Sequence, residues 1–249
     1  MISLIYLASI NSLVQHLLVI FLAVGMPLWD WYEIPRLKAS TEPRKKIKYY
    51  RKIVAALWVC AAIAVLTTGI ATTFTAHLRA GEIPWLDAGS RGSKLILGIT
   101  TGMFIAILLP AVLALRSETI RAKAGKAARK LAYLLPSTGE ERSWWWLVCI
   151  TAGVCEEFIY RGFLLHYFHA TPFQLSLTWA LVASSVIFGI GHLYQGVVGS
   201  VQTALMGFIF GCLFLITGSL LLPMVLHAVL DLRVLVMLPR GFGDASEPA

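Results

Sequence analysis

Two adjacent carboxylates, Glu156 and Glu157, sit in the segment CEEFIYRG, and Arg161 follows Glu157 by four residues. On a helix that spacing puts Glu157 and Arg161 on one face as an ion pair, while Glu156 is rotated about 100° away. Glu157 is thus expected to be engaged by Arg161, which leaves Glu156 free to take up a proton as a general base. A buried Glu-Arg clamp that only fixes helix packing would use the same residues, and the segment by itself leaves both roles open. Further on, Phe188 and His192 share a face at the end of FGIGH, and HAVLD places Asp231 four residues after His227. A carboxylate one turn from an imidazole can orient it or act beside it.

The elements that carry these residues are hydrophobic. The chain has 249 residues, of which 58% are hydrophobic and only 14% charged, against about 25% charged in soluble domains. Apolar runs near the roughly 20 residues needed to cross a bilayer occur about seven times: Leu4–Trp29, Ile53–Thr75, Leu95–Leu115, Trp144–Phe168, Phe173–Leu193, Val197–Thr217 and Leu220–Leu238. The predicted fold is an all-α polytopic bundle of about seven, at most eight, transmembrane helices, forming one membrane domain over 1–249. Within it, 4–143 supplies N-terminal helices and basic loops, 144–238 the chemistry-bearing helices, and 239–249 a tail rich in Gly, Pro and acid that is expected to be disordered. Cys60, Cys149, Cys155 and Cys212 all lie in apolar stretches without CxxC spacing and read as reduced packing residues.

A net charge of +8 comes from basic residues clustered between apolar runs, in RLKASTEPRKKIKYYRK and RSETIRAKAGKAARK, which points to membrane topology and away from nucleic acid. The positive-inside rule puts both basic loops in the cytoplasm, the N-terminus outside and the C-terminus inside a plasma membrane, of the bacterial inner-membrane type. The second basic loop reads as a solvated orientation signal, with a surface helix as the other reading. Ionisable groups inside a span are costly and mark function. Apart from His16, they gather late, at Glu156, Glu157, Arg161, His166, His192, His227, Asp231 and Arg233. His166 and His169 read as interfacial, and Arg233 is close enough to a helix end to snorkel.

Three of these segments in this order, EExxxR, FxxxH and HxxxD on successive hydrophobic stretches, resemble the CPBP family of CAAX-protease and bacteriocin-processing (Abi) intramembrane peptidases. The resemblance spans about Val148 to Asp231 and implies hydrolysis of a peptide bond in a protein or peptide held at the bilayer. It implies that Glu156 and His192 activate water, that His227 and Asp231 serve the oxyanion site, and that Glu157, Arg161 and Phe188 support them. Many relatives carry Asn at the last position, and ionised Asp231 cannot donate a hydrogen bond as Asn does. Glu156, His192, His227 and Asp231 also make a two-His, two-carboxylate set that Zn²⁺ accepts. The metal-free glutamate scheme, requiring no cofactor, is favoured because no HExxH pair presents two ligands from one helix. The competing class is a non-enzymatic membrane protein, either a proton- or cation-coupled transporter or an inactive immunity or scaffold member. Transport is disfavoured by the lack of inverted repeats.

Overall fold

A computed structural model describes residues 2–42, 44–75, 82–170, 172–239 and 242. The helices are α1 (Ile2–Ile20), α2 (Met26–Ala39), α3 (Lys45–Thr68), α4 (Ile70–Phe74), α5 (Arg91–Ala114), α6 (Glu118–Ala128), α7 (Gly139–Glu156), α8 (Leu165–His169), α9 (Leu177–Ile190), α10 (Gly196–Thr217) and α11 (Leu221–Met237). Two π-helical stretches make longer rods: Phe21–Gly25 joins α1 to α2, and Glu157–Leu164 joins α7 to α8. Four helical stretches, 10–39, 45–68, 91–114 and 193–217, are long and apolar enough to cross a membrane. Large apolar side chains such as Leu66, Ile70, Val197 and Val198 are more than 60% exposed, as expected of a surface that faces lipid.

The centre of the molecule is the rod of α7 and its π-helical continuation, with α3 on one side and α11 on the other. Close approach is built in with small residues. A methyl group at Gly153 would stand 2.9 Å from the Ala228 methyl, and one at Gly189 would stand 2.7 Å from that of Ala204. Such contacts let helix backbones gain dispersion energy where lipid offers no hydrophobic drive. The glycines of this region therefore serve tight packing at Gly189 and Gly207, where Phe188 would meet an added methyl at 2.9 Å.

Several boundaries differ from the sequence expectation. The first helical run continues to Ala39, through Pro35 and the π-helical turn, and α3 begins at Lys45, so most of the first basic segment rides on helix ends. The run expected to reach Thr75 breaks at Gly69, whose φ of 91° needs a residue without a side chain. The second basic segment forms α6, the surface-helix alternative of the sequence reading, with Ser117 capping it by accepting from the Ile120 amide. Most of the tail lies outside the described residues. Phe242 does not, and it is 2% exposed against Leu135 and Leu238.

The start of α7 is held by a polar latch. Lys46 on α3 donates to the Leu135 carbonyl at 2.6 Å and to Ser137 Oγ at 3.0 Å, and stands 3.6 Å from Glu141 Oε2. Glu141 accepts from the Ser137 amide at 2.7 Å and closes a capping box with Thr138. Burial pushes its carboxyl up, but the hydrogen bonds from Ser137 and the charge of Lys46 outweigh this and hold it below its usual value. A group depressed in the folded state stabilises above its unfolded pKa and loses that contribution as pH falls through its folded one. Lys46→Met, which leaves the buried Glu141 without its cation, is expected to cost about 3 kcal/mol and to shrink the loss of stability seen on acidification. Thermal unfolding in detergent across pH tests both, and an unchanged midpoint would show that the latch carries no stability.

Candidate active site

Glu156 ends α7 and Glu157 begins the π-helical stretch. A π-helical turn is wider than an α turn, and such insertions concentrate at functional sites. Gly162 lies in this stretch because α4 crosses it closely: a methyl there would come within 2.4 Å of the Thr73 carbonyl oxygen.

Glu157 is fully buried, and one of its oxygens serves two partners. Arg161 Nη1 donates to Oε1 at 2.9 Å, and His227 Nδ1 donates to the same Oε1 at 2.7 Å. The expected Glu157–Arg161 pair is present, and it holds a histidine from α11 as well. The guanidinium also lies 4.2 Å over the Phe188 ring and 5.6 Å from the Phe210 ring, a placement favourable to a desolvated cation. Gly207 makes space for it, since a methyl there would lie 3.2 Å from Arg161 Nη2.

With Nδ1 committed, His227 turns Nε2 toward two further carboxylates, Glu156 Oε2 at 3.7 Å and Asp231 Oδ2 at 3.6 Å. Both distances are beyond direct hydrogen bonding. Glu156 Oε2 is buried and has no hydrogen-bond partner among the described residues. Of the two adjacent carboxylates, Glu157 is held by two donors through Oε1 while its Oε2 has no partner among the described residues, and Glu156 makes no hydrogen bond there.

His192 lies just past the end of α9. Its Nδ1 is 2.8 Å from the Phe188 carbonyl, and because a carbonyl only accepts, Nδ1 carries the proton and Nε2 presents a lone pair. The Phe188 ring bridges the two histidines, 4.7 Å from His192 and 6.1 Å from His227 between ring centroids. Phe188 is thus the apolar divider of the site, a larger part than simple support.

The structure gathers Glu156, Glu157, Arg161, His227 and Asp231, with His192 beyond the Phe188 ring. It places His16, His169 and Arg233 in other contacts: His16 Nδ1 is 2.7 Å from the Tyr167 hydroxyl, His169 Nδ1 is 3.0 Å from the Leu175 carbonyl, and Arg233 donates to the Leu230 carbonyl; His166 lies on α8, away from the group. Sequence reasoning missed the aromatic neighbours. Phe210 lies 5.8 Å from the His227 ring, and Tyr160 packs edge-on against Phe188 at 4.8 Å. Tyr160 stands four residues after Glu156, a spacing visible in the sequence but overshadowed by the charged residues around it. Among the described residues, no three His, Cys, Asp or Glu side chains are arranged as a group able to hold a metal ion.

No curated protein and no solved structure matches the chain. Residues 138–233, less than half of the chain, match the family model described as Type II CAAX prenyl endopeptidase Rce1-like. That segment runs from the cap of α7 to just past Asp231 and contains every side chain of the site, so the similarity to that family falls on the helices that carry the site.

Proposed function

We propose that this chain is an intramembrane endopeptidase that hydrolyses a peptide bond of a membrane-associated protein or peptide, with Glu156 as general base. The observation that carries the reading is the unengaged, buried Glu156 carboxylate facing an imidazole whose other nitrogen is already fixed by Glu157. In this scheme water lies between Glu156 and His192 Nε2. Glu156 takes its proton as the oxygen attacks the scissile carbonyl carbon, and the carbonyl π electrons move onto oxygen. His227, as imidazolium, donates from Nε2 to that oxyanion. Collapse of the intermediate breaks the C–N bond, and Glu156 returns the proton to the leaving amine. Arg161 and Glu157 keep His227 aimed. Asp231 is an acceptor on the far side of Nε2 and favours the imidazolium, a role that needs no donated hydrogen bond.

The substrate class we infer is a lipid-modified C-terminal segment of CAAX type, following the name of the matched family. An apolar recess of about 470 Å³ between α5, α10 and α11, lined by Leu97, Phe104, Leu213 and Leu226, supports an apolar modification. Phe104 in its wall stacks at 6.3 Å on Phe210, whose other neighbour is the His227 ring. In this reading the basic ends of α2 and α3, together with α6, face the cytoplasm, the N-terminus is outside and the C-terminus inside.

Glu156→Gln is expected to lower kcat on a prenylated CAAX peptide by about 10²–10⁴ with an unfolding midpoint near wild type, because Glu156 Oε2 makes no bond to lose. Glu157→Gln is expected to lower the midpoint as well, since Arg161 and His227 both lose charge pairing. Cleavage retained in Glu156→Gln would remove the base assignment, and equal loss of folded protein in both variants would make the pair a structural clamp. Activity is also expected to survive prolonged chelation, and loss of cleavage restored by added Zn²⁺ would replace this scheme with a metal-dependent one.

A further inference from the structure

Tyr160 is 4% exposed, yet its hydroxyl bonds to no described residue. The rest of the residue is fixed. Its carbonyl accepts from the Ser184 hydroxyl, its ring stacks edge-on against Phe188, and its hydroxyl is 3.3 Å from where a methyl group on Gly191 would be. Gly191 precedes His192, so the phenol tip reaches the chain segment that carries His192. Tyr160 also follows Glu156 by four residues. On a helix of 3.6 residues per turn, or on the wider π turn present here, the two side chains share a face. The hydroxyl oxygen, unlike the buried Glu156 Oε2, keeps some accessible surface, on the face of Glu156 and beside the segment that carries His192. A donor left open there is available to a reacting molecule.

We propose that Tyr160 is a further catalytic residue whose hydroxyl donates a hydrogen bond to the nucleophilic water. This rests on the peptidase reading above. A water oxygen has two protons and two lone pairs. Glu156 and His192 Nε2 accept the two protons, Tyr160 occupies one lone pair, and the second is left aimed at the scissile carbonyl. No proton leaves Tyr160 in this step; it fixes orientation, and the proton lost by the water goes to Glu156. The glycine at 191 fits this arrangement, because a side chain there would press on the hydroxyl from below.

The test compares purified Tyr160→Phe and Glu156→Gln with wild type on the same prenylated CAAX peptide. Tyr160→Phe removes one oxygen that bonds no described residue, so its unfolding midpoint is expected to equal wild type, with kcat lowered about 10- to 100-fold and KM within twofold. A wild-type kcat in Tyr160→Phe beside an inactive Glu156→Gln overturns the proposal and leaves the peptidase reading intact. Full activity in both overturns the reading itself. A change confined to KM also overturns the proposal, since it assigns Tyr160 to substrate binding. If Tyr160→Phe does not fold, a difluorotyrosine of lowered phenol pKa placed at 160 decides. Loss of the donated proton is then expected to add an alkaline limb to the pH–rate profile, and an unchanged profile overturns the assignment.

Discussion

One carboxylate oxygen holds the site together. Glu157 Oε1 accepts from Arg161 at 2.9 Å and from His227 at 2.7 Å with no solvent contact. Withdrawing a carboxylate from water costs several kcal/mol even after relaxation, and a lone charge inside a bilayer-spanning helix is disfavoured. The attraction of two cationic donors offsets that cost only if both are rigidly aimed. Arg161 is aimed by the aromatic faces of Phe188 and Phe210 and by the absence of a side chain at Gly207. His227 is brought near by the close contact of α7 and α11, where Gly153 meets Ala228. Removing any of these parts would leave an uncompensated charge, so the ion group makes packing and chemistry interdependent.

That dependence explains why two neighbouring glutamates can differ so much. Glu157 is held by the arginine and the α11 histidine through Oε1. Glu156, one residue earlier and about 100° around the helix, faces His227 Nε2 at 3.7 Å with an oxygen that nothing satisfies. On the proposed reading a base must be open to accept a proton while its support must be anchored. Adjacent positions on one helix supply an anchored carboxylate and one without a hydrogen bond.

Much of this was legible in the sequence. Spacing gave the Glu157–Arg161 pair, the Phe188–His192 face and the His227–Asp231 turn, and hydrophobic run lengths gave the helical segments, although the first continues ten residues past its expected end, to Ala39. What escaped shares a physical cause: each missed contact joins residues far apart in the chain. The second partner of Glu157 is 70 residues away on α11, and the partners of Lys46 are about 90 residues away beside α7, whereas periodicity reads one helix at a time. The π-helical stretch was equally hidden. EFIYRGFL is compatible with an ordinary α-helix, and the wider turn is a response to tertiary packing, seen where α4 presses on Gly162. His227 illustrates the limit best, since its sequence neighbour Asp231 looked like its orienting partner while the true hydrogen bond is to Glu157.

On the proposed peptidase reading the site needs water at depth, and the end of α9 offers a polar break for it. Its 14 residues span about 21 Å at 1.5 Å each, short of the roughly 30 Å hydrocarbon core. The chain turns at Gly191 through Gln195, and the first residues of α10, Val197 and Val198, are 74% and 72% exposed and apolar, as suits lipid contact beside the turn. A helix end inside hydrocarbon leaves carbonyls without partners and is tolerated only when protein groups satisfy them. Here the Phe188 carbonyl takes the proton of His192 Nδ1, and the Gly189 carbonyl accepts from the Ser200 hydroxyl at 2.5 Å. The first of these bonds does two things: it makes the break stable, and it fixes the tautomer that leaves Nε2 of His192 as an acceptor. On the proposed reading, the bond that satisfies a carbonyl at the end of α9 is also the one that leaves His192 Nε2 free to accept from water, so the helix end and the chemistry share one hydrogen bond.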